Sequence, residues 1–162
     1  MKKFLTLFII LGITSCTNET TDSETVSTDR DKTYNWRLVT SWPKNYPGLG
    51  MAPERIADLV EEMSDGQMTI TVYGAEEQVP AFGVFDAVSS GSHQMGHSGG
   101  YFWKGKVPAA QFFTSVPFGL TADEINAWVN RGGGLELWRE IYEPFNIYPC
   151  LLYTSDAADD SA

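Results

Sequence analysis

The chain has 162 residues, room for one ordinary domain, and its 43% hydrophobic and 20% charged residues describe a globular chain, not a disordered or membrane-embedded one. A net charge of -10, with only 11 Lys and Arg scattered along the sequence, excludes a nucleic-acid binder, which needs clustered cations against phosphate. It leaves a small anionic ligand open, because one buried Arg or a helix N-terminus holds a carboxylate locally.

Residues 1–16 read as an export signal. Lys2 and Lys3 supply the positive start, and Phe4–Ile13 is an apolar run too short to span a bilayer. Ile13-Thr14-Ser15-Cys16 follows directly and resembles the bacterial lipobox, in which the cysteine is lipidated and becomes the mature N-terminus. Residues 17–33 are almost free of apolar side chains and cannot offset chain entropy by burial, so they read as a flexible tether. Lipid, tether and folded domain together predict a periplasmic protein held at the membrane surface.

The folded part opens with a strand, Trp36–Ser41, which alternates and is rich in strand formers. Turn residues follow, then a helix beginning near Pro53 with Ile56, Leu59, Val60 and Met63 on one face and closing at Asp65-Gly66. Met68–Tyr73 is the clearest strand, with Met68, Ile70 and Val72 facing one way. A second helix is expected from Pro80 through Phe82, Phe85 and Val88 to Gly91, and a third strand over His93–Gly96. Thr121-Ala122-Asp123-Glu124 is a capping box, predicting a helix from Ala122 to about Arg131 that stops at Gly132–Gly134. A last helix is expected over Leu135–Tyr142.

Strand, helix, strand, helix, strand with short connections predicts an α/β fold with a parallel sheet. Ligands of such sheets collect at the carboxyl ends of the strands. Three segments fall there: Trp42-Pro43, the loop from Gly74 to Pro80, and the run Gly99–Trp103.

Other chemistry is poorly supported. His93 and His97, four apart, would share a metal on a helix, but a strand and its exit do not bring them together, and no Glu stands between them as a base. With Cys16 lipidated, Cys150 has no disulfide partner. No phosphate loop and no serine nucleophile elbow occurs. Two classes remain, a binding receptor for transport and an exported α/β enzyme such as a small hydrolase, separated by a nucleophile with its base, which is not visible.

From Tyr34 to Pro149 the chain resembles the substrate-binding proteins of TRAP transporters, in particular the branch binding 2-oxo acids and similar monocarboxylates. The resemblance rests on YNWRLVTSWPKNYPGLG (34–50), VPAFGVFDAV (79–88), GGYFWKGKVPAAQFFTSVPFGLTADEINAWV (99–129) and GGGLELW (132–138). It implies a two-lobed fold like the type II periplasmic binding proteins, here mainly the first lobe. That receptor closes on a small organic acid and hands it to the TRAP permease subunits. Tyr101, Phe102 and Trp103 match cleft positions, and Trp42 is a further candidate; aromatic walls exclude water while offering phenol and indole donors. Glu76-Glu77-Gln78 departs from the family pattern of Gly-Glu and an apolar residue, which sets this loop apart from its counterparts. The arginine that clamps the ligand carboxylate, residues contacting a ligand-bridging cation, and the C-terminal part through which relatives dimerise all lie downstream in the family. None of Arg30, Arg37, Arg55, Arg131 and Arg139 matches the clamping position. Residues 150–162 leave the family pattern and read as translated sequencing adapter, so 34–149 is expected to be the N-terminal part of the binding domain, binding carboxylate weakly or not at all by itself.

Overall fold

The computed structural model describes residues 32–114 and 116–150. The export signal, Cys16, nearly all of the tether and residues 151–162 lie outside them.

Three parallel strands form one sheet: β1 (Tyr34–Thr40), β2 (Met68–Tyr73) and β3 (Met95–His97), in the order β2-β1-β3. β1 is central. Its Leu38 and Val39 are each 1% exposed although successive strand residues face opposite sides, so both faces of the sheet are covered. Helix α1 (Met51–Met63) covers the first face, where Leu38, Ala57, Ile70 and Val72 form one cluster. The short helix α2 (Val84–Ser89) covers the second, with Val39, Val84 and Ala87 in contact. Gly96 belongs to this second packing: a Cβ there would come within 2.8 Å of both Val84 Cγ1 and Val88 Cγ2.

β2 and the α1 terminus follow the sequence reading. The second helix is preceded by a 3-10 turn, Ala81–Gly83, because Gly83 N–H bonds back to Pro80 O and Ala81 N–H goes to the Glu76 carboxylate. The third strand lies slightly later than expected. Arg37 N–H, opposite Gln94, bonds the Gln94 side chain at 3.0 Å, so ladder pairing begins only at Met95.

Beyond the sheet, two 3-10 turns, Gly100–Trp103 and Pro108–Phe113, lead to α3 (Ala122–Arg131) and α4 (Gly134–Tyr142). The capping box forms as expected: Glu124 N–H donates to Thr121 Oγ1, and Thr121 N–H donates to the Glu124 carboxylate. The triple glycine is a corner as well as a stop, since Gly133 sits at φ 85 and Gly134 already starts α4. α4 packs Tyr142, with Trp138 and Ile141, onto Phe85, Val107 and Ala110 in a third cluster.

Candidate functional site

The three segments expected at the carboxyl edge do meet there. Ala75 N–H donates to Trp42 O at 3.0 Å, joining the loop after β2 to the exit of β1. Trp42 and Phe102 lie 6.1 Å apart between ring centroids, Tyr101 and Phe102 4.5 Å, and Phe82 and Phe102 5.1 Å. These four rings make a continuous wall, with Phe82 69% and Tyr101 43% exposed. Partial burial pushes the Tyr101 phenol above its ordinary pKa, so it is a protonated donor at neutral pH.

Trp103 faces elsewhere. Its ring packs on Phe85 at 5.3 Å, and its indole N–H donates to Tyr142 Oη at 2.5 Å. It ties the turn bearing Tyr101 and Phe102 to α4, and its donor is spent there.

The edge beneath the wall is polar and stitched. Ser41 Oγ donates to Ala81 O at 2.7 Å and lies 2.5 Å from Ser98 Oγ, joining β1, the turn before α2 and the exit of β3. His97, the parallel-register partner of Thr40, places Nδ1 3.1 Å from Thr40 Oγ1 and its ring 4.9 Å from Trp42. Burial lowers the His97 pKa to about 4, so the imidazole is neutral at physiological pH. His93 is instead buried under Tyr73, with the rings 6.4 Å apart and Nδ1 3.1 Å from Ser92 Oγ. Burial and the nearby Arg37 charge lower its pKa as well. Among the described residues, no group of three or more His, Cys, Asp or Glu side chains is placed to hold a metal ion.

The acidic loop has a structural task. Glu77 accepts the Gly74 N–H at 3.1 Å and pairs with Lys44 at 3.4 Å, while Glu76 accepts the Ala81 N–H at 3.0 Å. Phe82, Thr40 and His97 are site residues that the sequence does not announce. The signal available for Phe82 is an aromatic just past Pro80; for Thr40 and His97 there is none until the strand register is known.

Residues 38–150 match the family model described as bacterial extracellular solute-binding protein, family 7. A monocarboxylate 2-oxoacid-binding periplasmic protein of Nostoc sp. is 42% identical over 136 residues, 84% of this chain and 36% of the relative. Among solved structures, a TRAP periplasmic solute-binding protein of Pseudoalteromonas atlantica with bound sodium and pyruvate is 49% identical at a TM-score of 0.70. The match covers 72% of this chain and 36% of that one. A counterpart from Colwellia psychrerythraea with bound calcium and pyruvate is 44% identical, with the same TM-score and coverage. The chain therefore spans about 36% of the length of these relatives. These relatives are solute-binding proteins, which sets aside the exported-enzyme alternative. With a match running from the middle of β1 to the end of the described residues, the chain belongs to the bacterial extracellular solute-binding proteins of family 7.

Proposed function

We propose that this chain forms the first lobe of the extracytoplasmic receptor of a TRAP-type transporter, and that the receptor captures a 2-oxo acid or similar small monocarboxylate for its membrane permease. The single observation that carries this is the aromatic wall of Trp42, Phe82, Tyr101 and Phe102 at the carboxyl edge of a parallel sheet. Support comes from similar solute-binding proteins solved with bound sodium and pyruvate or with bound calcium and pyruvate. The wall carries no formal charge, so it suits the apolar and neutral parts of a small acid. The carboxylate is met from the facing side of the cleft, by a cationic side chain or a bound cation. Trp103 supports the wall from behind.

Anchorage belongs to the same reading: Cys16 carries the lipid, residues 17–33 act as the tether, and the receptor works on the periplasmic side of the membrane. A homodimer formed through the C-terminal part is a further element of it.

Titration calorimetry of the complete receptor carrying this segment is expected to show saturable pyruvate binding without turnover. Losing the ring contact in Trp42→Ala should weaken it about tenfold, the equivalent of about 1.4 kcal/mol. Equal affinity in wild type, Trp42→Ala and Phe102→Ala would defeat the wall. Cys16→Ala is expected to move the receptor from the membrane to the soluble periplasmic fraction, and continued membrane association would reject the anchor.

A further inference from the structure

We propose that His97 is a specificity-determining contact of this receptor, its Nε2–H donating a hydrogen bond to the C2 carbonyl oxygen of a 2-oxo acid, with Thr40 as the residue that fixes the imidazole for that task. This rests on the receptor function proposed for the chain and adds to it the atom that tells a 2-oxo acid from a plain carboxylic acid.

Thr40 is 1% exposed. Its hydroxyl oxygen already accepts the Trp42 N–H at 3.2 Å. The buried hydroxyl proton needs an acceptor, because leaving it unpaired costs far more than a net hydrogen bond returns. The acceptor in reach is His97 Nδ1 at 3.1 Å. That bond assigns the tautomer: Nδ1 is the acceptor, so Nε2 carries the proton. Among the described residues Nε2–H has no partner, and it is not one of the buried atoms sealed from solvent without one. The donor thus keeps some accessible surface, on a largely buried ring 4.9 Å from Trp42 and at the end of β3.

The partner's chemistry follows from the company His97 keeps. Trp42, Phe82, Tyr101 and Phe102 bring no fixed cation, and Lys44, two residues past Trp42, is paired with Glu77 at 3.4 Å. An uncharged donor in an uncharged wall matches an uncharged carbonyl oxygen. The carboxylate of the same ligand calls for positive charge and is served from elsewhere in the cleft. A keto oxygen missing from the ligand would leave the donor desolvated and unpaired, which is how polar sites discriminate most strongly.

The test compares pyruvate with propionate, which lacks the C2 oxygen, by calorimetry on the complete receptor. Wild type is expected to prefer pyruvate. His97→Phe keeps a ring beside Trp42 but removes the donor, and should weaken pyruvate about tenfold while leaving propionate unchanged or bound more tightly, since the unpaired donor is gone. His97→Gln, whose amide N–H reaches a similar place, should recover part of the preference. Equal losses for both acids, or no loss for either, would overturn the assignment of His97. Absence of pyruvate binding in wild type would overturn the receptor reading itself, which keeps the two failures apart. A second measurement covers the case of a poorly folded variant. In the 15N-histidine-labelled wild type, the His97 signals should report Nε2 protonated in the free protein, with its proton moving downfield on adding pyruvate. Thr40→Val should scramble that tautomer and Thr40→Ser restore it. A protonated Nδ1 in wild type, or a signal indifferent to saturating pyruvate, would refute the proposal.

Discussion

The bond between Trp103 and Tyr142 offers the most direct check on how the wall is held. The indole N–H reaches Tyr142 Oη at 2.5 Å, and Tyr142 is 2% exposed inside the cluster with Phe85, Val107 and Ala110. Tyr142→Phe removes the acceptor alone and leaves a half-buried indole N–H unpaired, a loss of about 1–2 kcal/mol. Trp103→Phe removes the donor and also part of a ring packed 5.3 Å from Phe85. Adding a partial cavity to the lost bond brings that variant to about 2–4 kcal/mol. The double variant should cost less than the sum of the two, because the shared bond can be lost only once. The difference, a coupling of about 1 kcal/mol, is what urea unfolding of the four proteins would measure, provided their m-values agree. Additive losses within about 0.3 kcal/mol would show that the two side chains are not joined in solution. The turn bearing Tyr101 and Phe102 would then owe its position to something other than this bond to α4.

Thr121→Ala removes the hydroxyl that accepts the Glu124 N–H while leaving the backbone N–H that donates to the Glu124 carboxylate, and should destabilise the protein by about 1 kcal/mol in thermal or urea unfolding, with an unchanged helix-cap mutant arguing that α3 is held by packing alone. Gly100→Ala should cost about 1–3 kcal/mol, because its Cβ would meet Ala110 O at 2.6 Å, whereas Gly105→Ala, with nothing within 4 Å, should fall within about 0.5 kcal/mol of wild type. Equal effects at the two glycines would contradict the close approach of the two 3-10 turns. The pH dependence of stability should carry a His97 component. Its pKa is lowered to about 4 when folded, so the unfolded chain binds the proton first as pH falls below the ordinary value of about 6.5. Stability from this group is complete above about 6.5 and is lost progressively toward about 4, to the extent of about 3 kcal/mol. His97→Gln should flatten the unfolding free energy over that window, and an identical slope in both proteins would disprove the burial of His97.

The sequence disclosed those elements whose cause is local. β2 is one, because alternation in Met68–Tyr73 needs no tertiary context. The start of α3 is another, because the Thr121–Glu124 exchange closes within four residues. What escaped depends on partners distant in the chain. The start of β3 is delayed because Arg37, 55 residues earlier than Ser92, spends its guanidinium on Ser92 O while its N–H takes the Gln94 side chain. The two 3-10 turns over Gly100–Trp103 and Pro108–Phe113 carry no helical periodicity, since they are held by ring packing onto α4 and not by a facing apolar stripe.

The same distinction explains the site. Trp42 is a candidate from its place at a strand exit, and Tyr101 and Phe102 are candidates from the resemblance to TRAP substrate-binding proteins; the ring contacts then join the three at one edge. His97 has no such signal. A histidine four residues from another invites a metal reading, and only the parallel pairing of Thr40 with His97 turns it toward Trp42. The register also separates the fates of the two histidines: it sets His97 beside Thr40 at the rim, whereas His93 lies before the ladder begins and folds under Tyr73. A shift of one residue in the β1–β3 pairing would send the Thr40 hydroxyl and the His97 ring to opposite faces of the sheet. The polar half of the wall therefore exists only in this register. What pins the register lies at both ends of the short ladder, the Arg37–Gln94 bond before it and the Ser41–Ser98 contact after it. Residues that touch no ligand thus decide whether the edge offers a donor at all.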